Sequence, residues 1–113
     1  MTIQEIAQAL NAELLTQEAD LAKEVHTACG SDMMSDVLAY VKDQAVLVTG
    51  LNNRQVVHTA SMMDMVCIVF VRGKKPEPAI IELASQCGIA VLATALPMFP
   101  ACGILYEKGL RGG

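Results

Sequence analysis

At residues 45–50 the chain reads Ala45-Val46-Leu47-Val48-Thr49-Gly50, a short apolar run that a glycine ends. The run does not alternate between apolar and polar residues, which is typical of a strand whose two faces are both covered. Two similar runs lie at 66–71 and 89–93. Together the three runs predict buried parallel strands at the centre of a sheet.

Segments with apolar residues at helical spacing separate these runs. The order predicts β-α-β units with right-handed crossovers. We also expect two shorter strands at 13–16 and 25–29. The prediction is an α/β fold with three layers, in which a Rossmann-like, mostly parallel sheet carries helices on both faces. All of residues 1–113 are assigned to this one domain.

The starts of several helices can be read from residue types. Thr2 and Glu5 form a predicted capping box. Ser31 is predicted to cap a helix whose apolar side ends at Val41. Pro78 suits the first turn of a later helix, because proline has no backbone N–H to leave unpaired there. After the last helix, the tail 111–113 is expected to fray.

The composition excludes several classes of protein. The chain has 113 residues, of which 53% are apolar, and a net charge of −4. An acidic chain without a basic stripe does not suit nucleic-acid binding. No apolar run approaches the roughly 18 residues of a membrane span, and the first residues do not resemble a signal peptide, so we expect a cytoplasmic protein. The mean hydropathy of +0.41 is high, which predicts a homodimer that covers an apolar face.

Polar and basic residues follow the predicted strands, at the edge where parallel α/β sheets bind ligands. Because helix N-termini point to the same edge and favour anions, the sequence predicts a site for a small anionic ligand there. The candidate residues are Ser31, Thr49, Gly50, Asn52, Asn53, Arg54, Arg72, Gly73, Lys74 and Thr94. The alternative is that these residues are ordinary solvated turns, with Gly50 and Gly73 present only to supply positive φ.

Other reactive residues do not form a recognisable catalytic set. The four cysteines lack metal or redox spacing and are interpreted as small buried hydrophobes; a metal or redox role for Cys29 or Cys102 is the less favoured alternative. Asp32 and Asp36 are four residues apart and are interpreted as part of a solvated helix face. The methionines are assigned to the core or a dimer seam rather than to a binding groove. We therefore predict no enzyme and no cofactor.

Residues 45–56 resemble the central strand, glycine turn and following helix of the DRTGG domain family. Residues 67–94 resemble its next helix–strand unit, and the resemblance extends over about 1–110. It implies a Rossmann-like domain of the kind fused to phosphotransacetylases and CBS-domain pyrophosphatases, where a regulatory role is expected. The ending Pro97-Met98-Phe99-Pro100-Ala101-Cys102-Gly103-Ile104-Leu105-Tyr106 resembles stand-alone members from anaerobic bacteria, which are often encoded beside iron-only hydrogenase components.

Two functions are favoured from the sequence, and a small enzyme is a third, less favoured alternative. The first is a regulatory or accessory module that senses a nucleotide or phosphate compound at the strand carboxyl ends. The second is a protein–protein adaptor for a redox or hydrogenase enzyme complex, with an enzyme partner and no small ligand.

Overall fold

The computed structural model describes residues 1–40 and 43–112. Val41, which the sequence assigned to the apolar side of the second helix, and Gly113 of the tail lie outside these ranges. The elements in chain order are α1 Ile3–Ala9, β1 Glu13–Leu14, β2 Thr27–Gly30, α2 Met34–Leu38, β3 Ala45–Thr49, α3 Arg54–Met62, β4 Cys67–Phe70, α4 Pro78–Gln86, β5 Ala90–Ala93 and α5 Met98–Glu107.

The five strands form one sheet in the order β1-β5-β4-β3-β2. Strands β2 to β5 are parallel, whereas β1 pairs antiparallel with β5. The predicted α/β fold with a mostly parallel sheet is confirmed. The Rossmann-like assignment stays a prediction.

Alternate residues of the central strands enter two hydrophobic clusters. Val46 and Val48 pack with α1 and α5 in the first cluster, while Ala45 and Leu47 pack with α2, α3 and α4 in the second. Since successive side chains of a strand point to opposite faces, the two clusters lie on opposite faces of the sheet. This arrangement explains why the strand sequences contain no polar alternation.

The helix ends agree with most of the sequence signals. Thr2 and Glu5 make the predicted capping box, and the backbone N–H of Thr2, followed by its side chain, lowers the pKa of Glu5. Pro78 opens α4, as expected. The prediction for Ser31 is wrong, because α2 begins at Met34 with Met33 at the N-cap position. The Ser31 hydroxyl instead accepts from the backbone N–H of Met33, in a turn before the helix.

The C-terminal segment is better anchored than expected. Leu110 is buried, and Arg111 makes a parallel bridge to Thr27 at the outer side of β2. The backbone N–H of Ala28 donates to the carbonyl of Arg111 over 2.9 Å. The Arg111 guanidinium lies 3.8 Å from the centre of the Tyr106 ring. Of the predicted frayed tail, Arg111 is therefore held by hydrogen bonds and a cation–π contact.

In the part of the chain that the structure describes, no helix is long and apolar enough to cross a membrane.

We expect Thr16→Val to destabilise the protein by about 1–3 kcal/mol, because the buried Thr16 hydroxyl accepts from the backbone N–H of Val91 and its loss leaves that donor unpaired. Urea unfolding measures the change. Thr27→Val is the matched control, since the Thr27 hydroxyl donates to a carbonyl at an exposed position. An equal loss in both variants would contradict the assignment.

Candidate functional site

The loops that follow β2 to β5 meet at one side of the sheet. We call this side the carboxyl edge and define it by residues 31–32, 50–54, 72–75 and 94–97. Asp32 lies at its centre, where its Oδ1 accepts from the Thr49 hydroxyl over 3.0 Å and from the backbone N–H of Gly50 over 2.7 Å. Its Oδ2 lies 3.8 Å from Nη1 of Arg72. Three strand ends are thus joined through one carboxylate.

These contacts stabilise the charged form of Asp32. The N–H of Gly50 is the main cause that lowers the pKa of this carboxyl group, and the Thr49 hydroxyl and Arg72 act in the same direction. Partial burial opposes them. Hydrogen bonds to a carboxylate favour its ionised state, so Asp32 carries a negative charge at neutral pH.

At Gly50 the structure shows a close approach by another side chain rather than the positive φ that the alternative interpretation assigned to it. The residues with positive φ at this edge are Arg72 and Gly73, at 65° and 71°. A Cβ atom at position 50 would overlap the Arg72 guanidinium. Nη2 of Arg72 donates to the Gly50 carbonyl over 3.2 Å. The absence of a side chain therefore lets Arg72 lie across the turn, while the positive φ predicted for Gly73 is confirmed.

Two predicted site residues direct their hydroxyl groups into the fold. Thr49 is fully buried, and besides donating to Asp32 it accepts from the backbone N–H of Leu51. Thr94 is also buried; its hydroxyl donates to the Leu10 carbonyl over 2.8 Å and accepts from the N–H of Leu96. These hydroxyls organise the loops of the carboxyl edge.

The two asparagines connect the start of α3 with the loop after β4. Asn53 is the N-cap, and its side chain accepts from the N–H of Val56. Asn52 donates through Nδ2 to the Lys75 carbonyl over 3.1 Å. Its Oδ1 is buried and has no hydrogen-bond partner among the described residues. A buried acceptor without a donor costs free energy, so a group that donates a hydrogen bond to this oxygen would be stabilising.

A cleft of about 530 Å³ opens beside these asparagines, between the starts of α3 and α4. Its lining consists of Asn52, Asn53, Arg54, Gln55, Glu77, Ala79 and Ile80. The first turns of the two helices contain no acidic residue, although Glu77 occupies the N-cap of α4. The cleft thus combines one cation, one carboxylate and an apolar wall.

The basic side chains of the carboxyl edge differ in how available they are to a ligand. Arg72 is held by Asp32 and Gly50, and Lys75 pairs with Glu13 over 2.8 Å. Arg54 and Lys74 are exposed, and within the described ranges neither has an ion pair. They are the cations that remain available to a ligand at this edge.

The sequence located this edge but missed its central residue. Asp32 was interpreted as part of a helix face with Asp36, whereas it lies before α2 and belongs to the loop after β2. A useful signal was present, since Asp32 follows the strand-ending Gly30 by two residues. Its partners depend on sheet order, which places β2 next to β3.

Cys29 and Cys102 lie near each other, since both line a small cleft between β2 and α5, and burial together with the nearby Cys29 raises the pKa of the Cys102 thiol. A metal or redox role for these two cysteines stays a prediction. Cys29 packs against the cluster of α2 to α4, and Cys102 against the cluster of α1 and α5. Cys67 is buried as predicted, and burial raises its pKa to about 12. Cys87 is exposed, contrary to the prediction. Among residues 1–40 and 43–112, no group of three or more His, Cys, Asp or Glu side chains is arranged to hold a metal ion.

We expect stability to depend on pH through Asp32. Because its pKa is lowered by folding, its contribution is complete above the unfolded value of about 4 and is lost as the pH falls through the folded value. Asp32→Asn removes this dependence. Urea unfolding from neutral pH into the acid range should show wild type above the variant at neutral pH, with a gap that closes on acidification. A constant gap would contradict the prediction.

We expect Gly50→Ala to destabilise the wild type by displacing the Arg72 guanidinium, and to cost much less in an Arg72→Ala background, where the space is free. A double-mutant cycle by urea unfolding should give an interaction energy above about 0.5 kcal/mol. Additive effects would show that the close approach has no energetic consequence.

Comparison with known proteins agrees with this description. No curated protein matches the chain. A solved structure does, and its description reads as the CBS and DRTGG domains of the regulatory region of Clostridium perfringens pyrophosphatase, complexed with the activator diadenosine tetraphosphate. The TM-score is 0.72 at 18% identity, and the match covers 95% of this chain but 46% of that one. At this identity the likeness concerns the fold.

The chain thus spans about half of that regulatory region. The sequence matches the DRTGG domain over residues 5–106, nearly its whole length. This chain belongs to the DRTGG domain family.

Proposed function

We propose that this chain is a regulatory module, without catalytic activity of its own, that senses a nucleotide or related phosphate compound at the carboxyl edge. The cleft between the starts of α3 and α4 carries the proposal, because it joins two helix N-termini to an unpaired cation, Arg54. The similarity to a regulatory region crystallised with a dinucleotide activator supports it. That ligand belongs to a chain with additional domains, so its position here is argued from this chain's own residues.

The cleft suits a ligand with both an anionic and a hydrogen-bond-donating part. A phosphate group faces Arg54, whose guanidinium presents paired donors to phosphate oxygens. Lys74 lies in the loop after β4, which Asn52 ties to the cleft, and it adds a second positive charge. Glu77 accepts hydrogen bonds from ribose hydroxyl or base amino groups, and the exposed Ala79 offers an apolar contact to the base.

Arg72 has an organising role in this proposal. Its guanidinium already faces the Asp32 carboxylate and the Gly50 carbonyl, so a ligand at Arg72 would have to replace these contacts. Ser31, Thr49, Gly50, Gly73 and Thr94 belong to the same framework, which holds the loops that carry Asn52, Asn53, Arg54 and Lys74. The direct contacts to the ligand are therefore assigned to Asn52, Asn53, Arg54 and Lys74.

The adaptor function is the second candidate, and exposed large apolar side chains favour it. Phe99 is 89% exposed and Tyr40 is 70% exposed, and such residues on a small protein mark interaction surfaces. We further propose that the chain is a cytoplasmic homodimer and that, as an adaptor, it associates with a hydrogenase complex.

Thermal melting against diadenosine tetraphosphate, mononucleotides and acetyl phosphate tests the sensing function. A ligand at about 100 times its Kd adds roughly 2.7 kcal/mol of stability, which for a domain of this size raises the midpoint by roughly 10 °C. Arg54→Ala or Lys74→Ala should weaken binding roughly tenfold or more through the loss of a charged hydrogen bond. Lys108→Ala is the control, because Lys108 is an exposed cation at the far end of α5.

A midpoint that no compound shifts, or equal losses in the Arg54 and Lys108 variants, would contradict a site at the cleft. A flat result together with a protein partner that binds specifically would favour the adaptor instead.

A further inference from the structure

Helix α5 is apolar on all sides, and the chain covers only one of them. Its sequence from Met98 to Glu107 contains a single charged residue, Glu107, at the end. Ala101 and Leu105 face the core, whereas Phe99 is 89% and Tyr106 59% exposed. A helix that is apolar all round is normally buried all round. The exposed side of α5 therefore lacks a covering surface.

A second group of exposed apolar residues belongs to α2 and its ends. Met33, Leu38 and Tyr40 are exposed. Helix α2 contacts α3, which in turn contacts α4, and α4 contacts β5. This order places α2 at the β2 side of the sheet. Helix α5, on the opposite face, contacts β2 and β3. Among the described residues, five of the six exposed large hydrophobic side chains therefore belong to α5 or to α2 and its ends, the elements that lie on the two faces of the sheet near its β2 edge.

Strand β2 has few of the features that protect a sheet edge. It reads Thr27-Ala28-Cys29-Gly30 and contains neither a charged residue nor proline. Ala28 donates outward to Arg111, and Ser31 donates inward to Val48. Because residues two apart on a strand point the same way, the N–H and C=O of Gly30 face outward. Up to Gly112, where the described part of the chain ends, the C-terminal segment bridges β2 at Thr27 and Ala28.

We propose that a second copy of this chain docks against this edge. We define the β2 edge surface as strand β2 with Phe99, Tyr106, Met33, Leu38 and Tyr40. A twofold axis brings the same patch of each copy together, so apolar groups on both faces of the sheet meet apolar groups. Permanent self-association interfaces are the more apolar class, and this surface has the composition of that class. A small cleft of about 120 Å³, lined in part by Gly30, Cys102 and Tyr106, accepts a partner side chain.

The size of the surface is consistent with a stable dimer. An aromatic side chain can bury roughly 150–250 Å². The area that three such side chains could bury together with Met33 and Leu38 approaches the ~800 Å² that each partner buries in a standard interface.

Light scattering and sedimentation of the full chain at micromolar concentration test the inference. Wild type should have twice the 12.1 kDa mass of one chain. Phe99→Glu and Leu38→Glu lie on opposite flanks of β2, and each should weaken association at least roughly 30-fold, as expected for a residue at the centre of an interface. Met62→Glu is the matched control. Met62 is 66% exposed on α3, away from the edge, so this variant should remain dimeric.

Far-UV circular dichroism checks that each variant is folded. A monomeric wild type, a dimer that persists in either the Phe99 or the Leu38 variant, or dissociation of the Met62 variant would each overturn the inference. The measured mass does not depend on a ligand at the carboxyl edge, so failure of the dimer and failure of the sensing function are separate results.

Discussion

The burial of three adjacent strands on both faces is the constraint on which the structure depends. Strands β3, β4 and β5 are buried at every residue. A strand covered on both sides has no place for a charged side chain without a large desolvation cost. Polar and charged side chains therefore lie at the strand ends, where loops and helix N-termini supply hydrogen bonds. The position of the candidate site follows from this constraint rather than from a particular motif.

The Asp32 carboxylate shows how the displaced polar groups are organised. It receives a hydroxyl and a backbone N–H from the end of β3 and lies near the guanidinium that follows β4. This arrangement changes the interpretation of the basic residues. Arg72 looks like a free cation in the sequence, but part of its charge is balanced by Asp32. An anion is consequently attracted more strongly to Arg54 and Lys74 than to Arg72.

Sequence reasoning worked where a local pattern determines the structure. The central strands and the capping box at Thr2 depend on neighbouring residues, so they were predicted correctly. It failed where the cause lies in a distant segment. Gly50 is small because Arg72 approaches it from another loop, and Asp32 is central because β2 lies beside β3. The high apolar content was visible in the composition. Which apolar side chains are left exposed beside β2 depends on where α2 and α5 pack.

The two proposed surfaces share one stretch of backbone. Gly30 ends the exposed edge strand, and its Cα side is closely approached by the Cys102 sulfur of α5. Asp32 lies two residues further on and holds the turn at Gly50. A shift of β2 on self-association would reach the carboxyl edge through these residues, because Asp32 accepts hydrogen bonds from Thr49 and Gly50 at the end of β3. By linkage, a ligand that favours one position of this turn must change the dimer affinity by the same factor as the dimer changes ligand affinity. If both proposals hold, the segment from Gly30 to Asp32 is the stretch of backbone through which the two surfaces would be coupled.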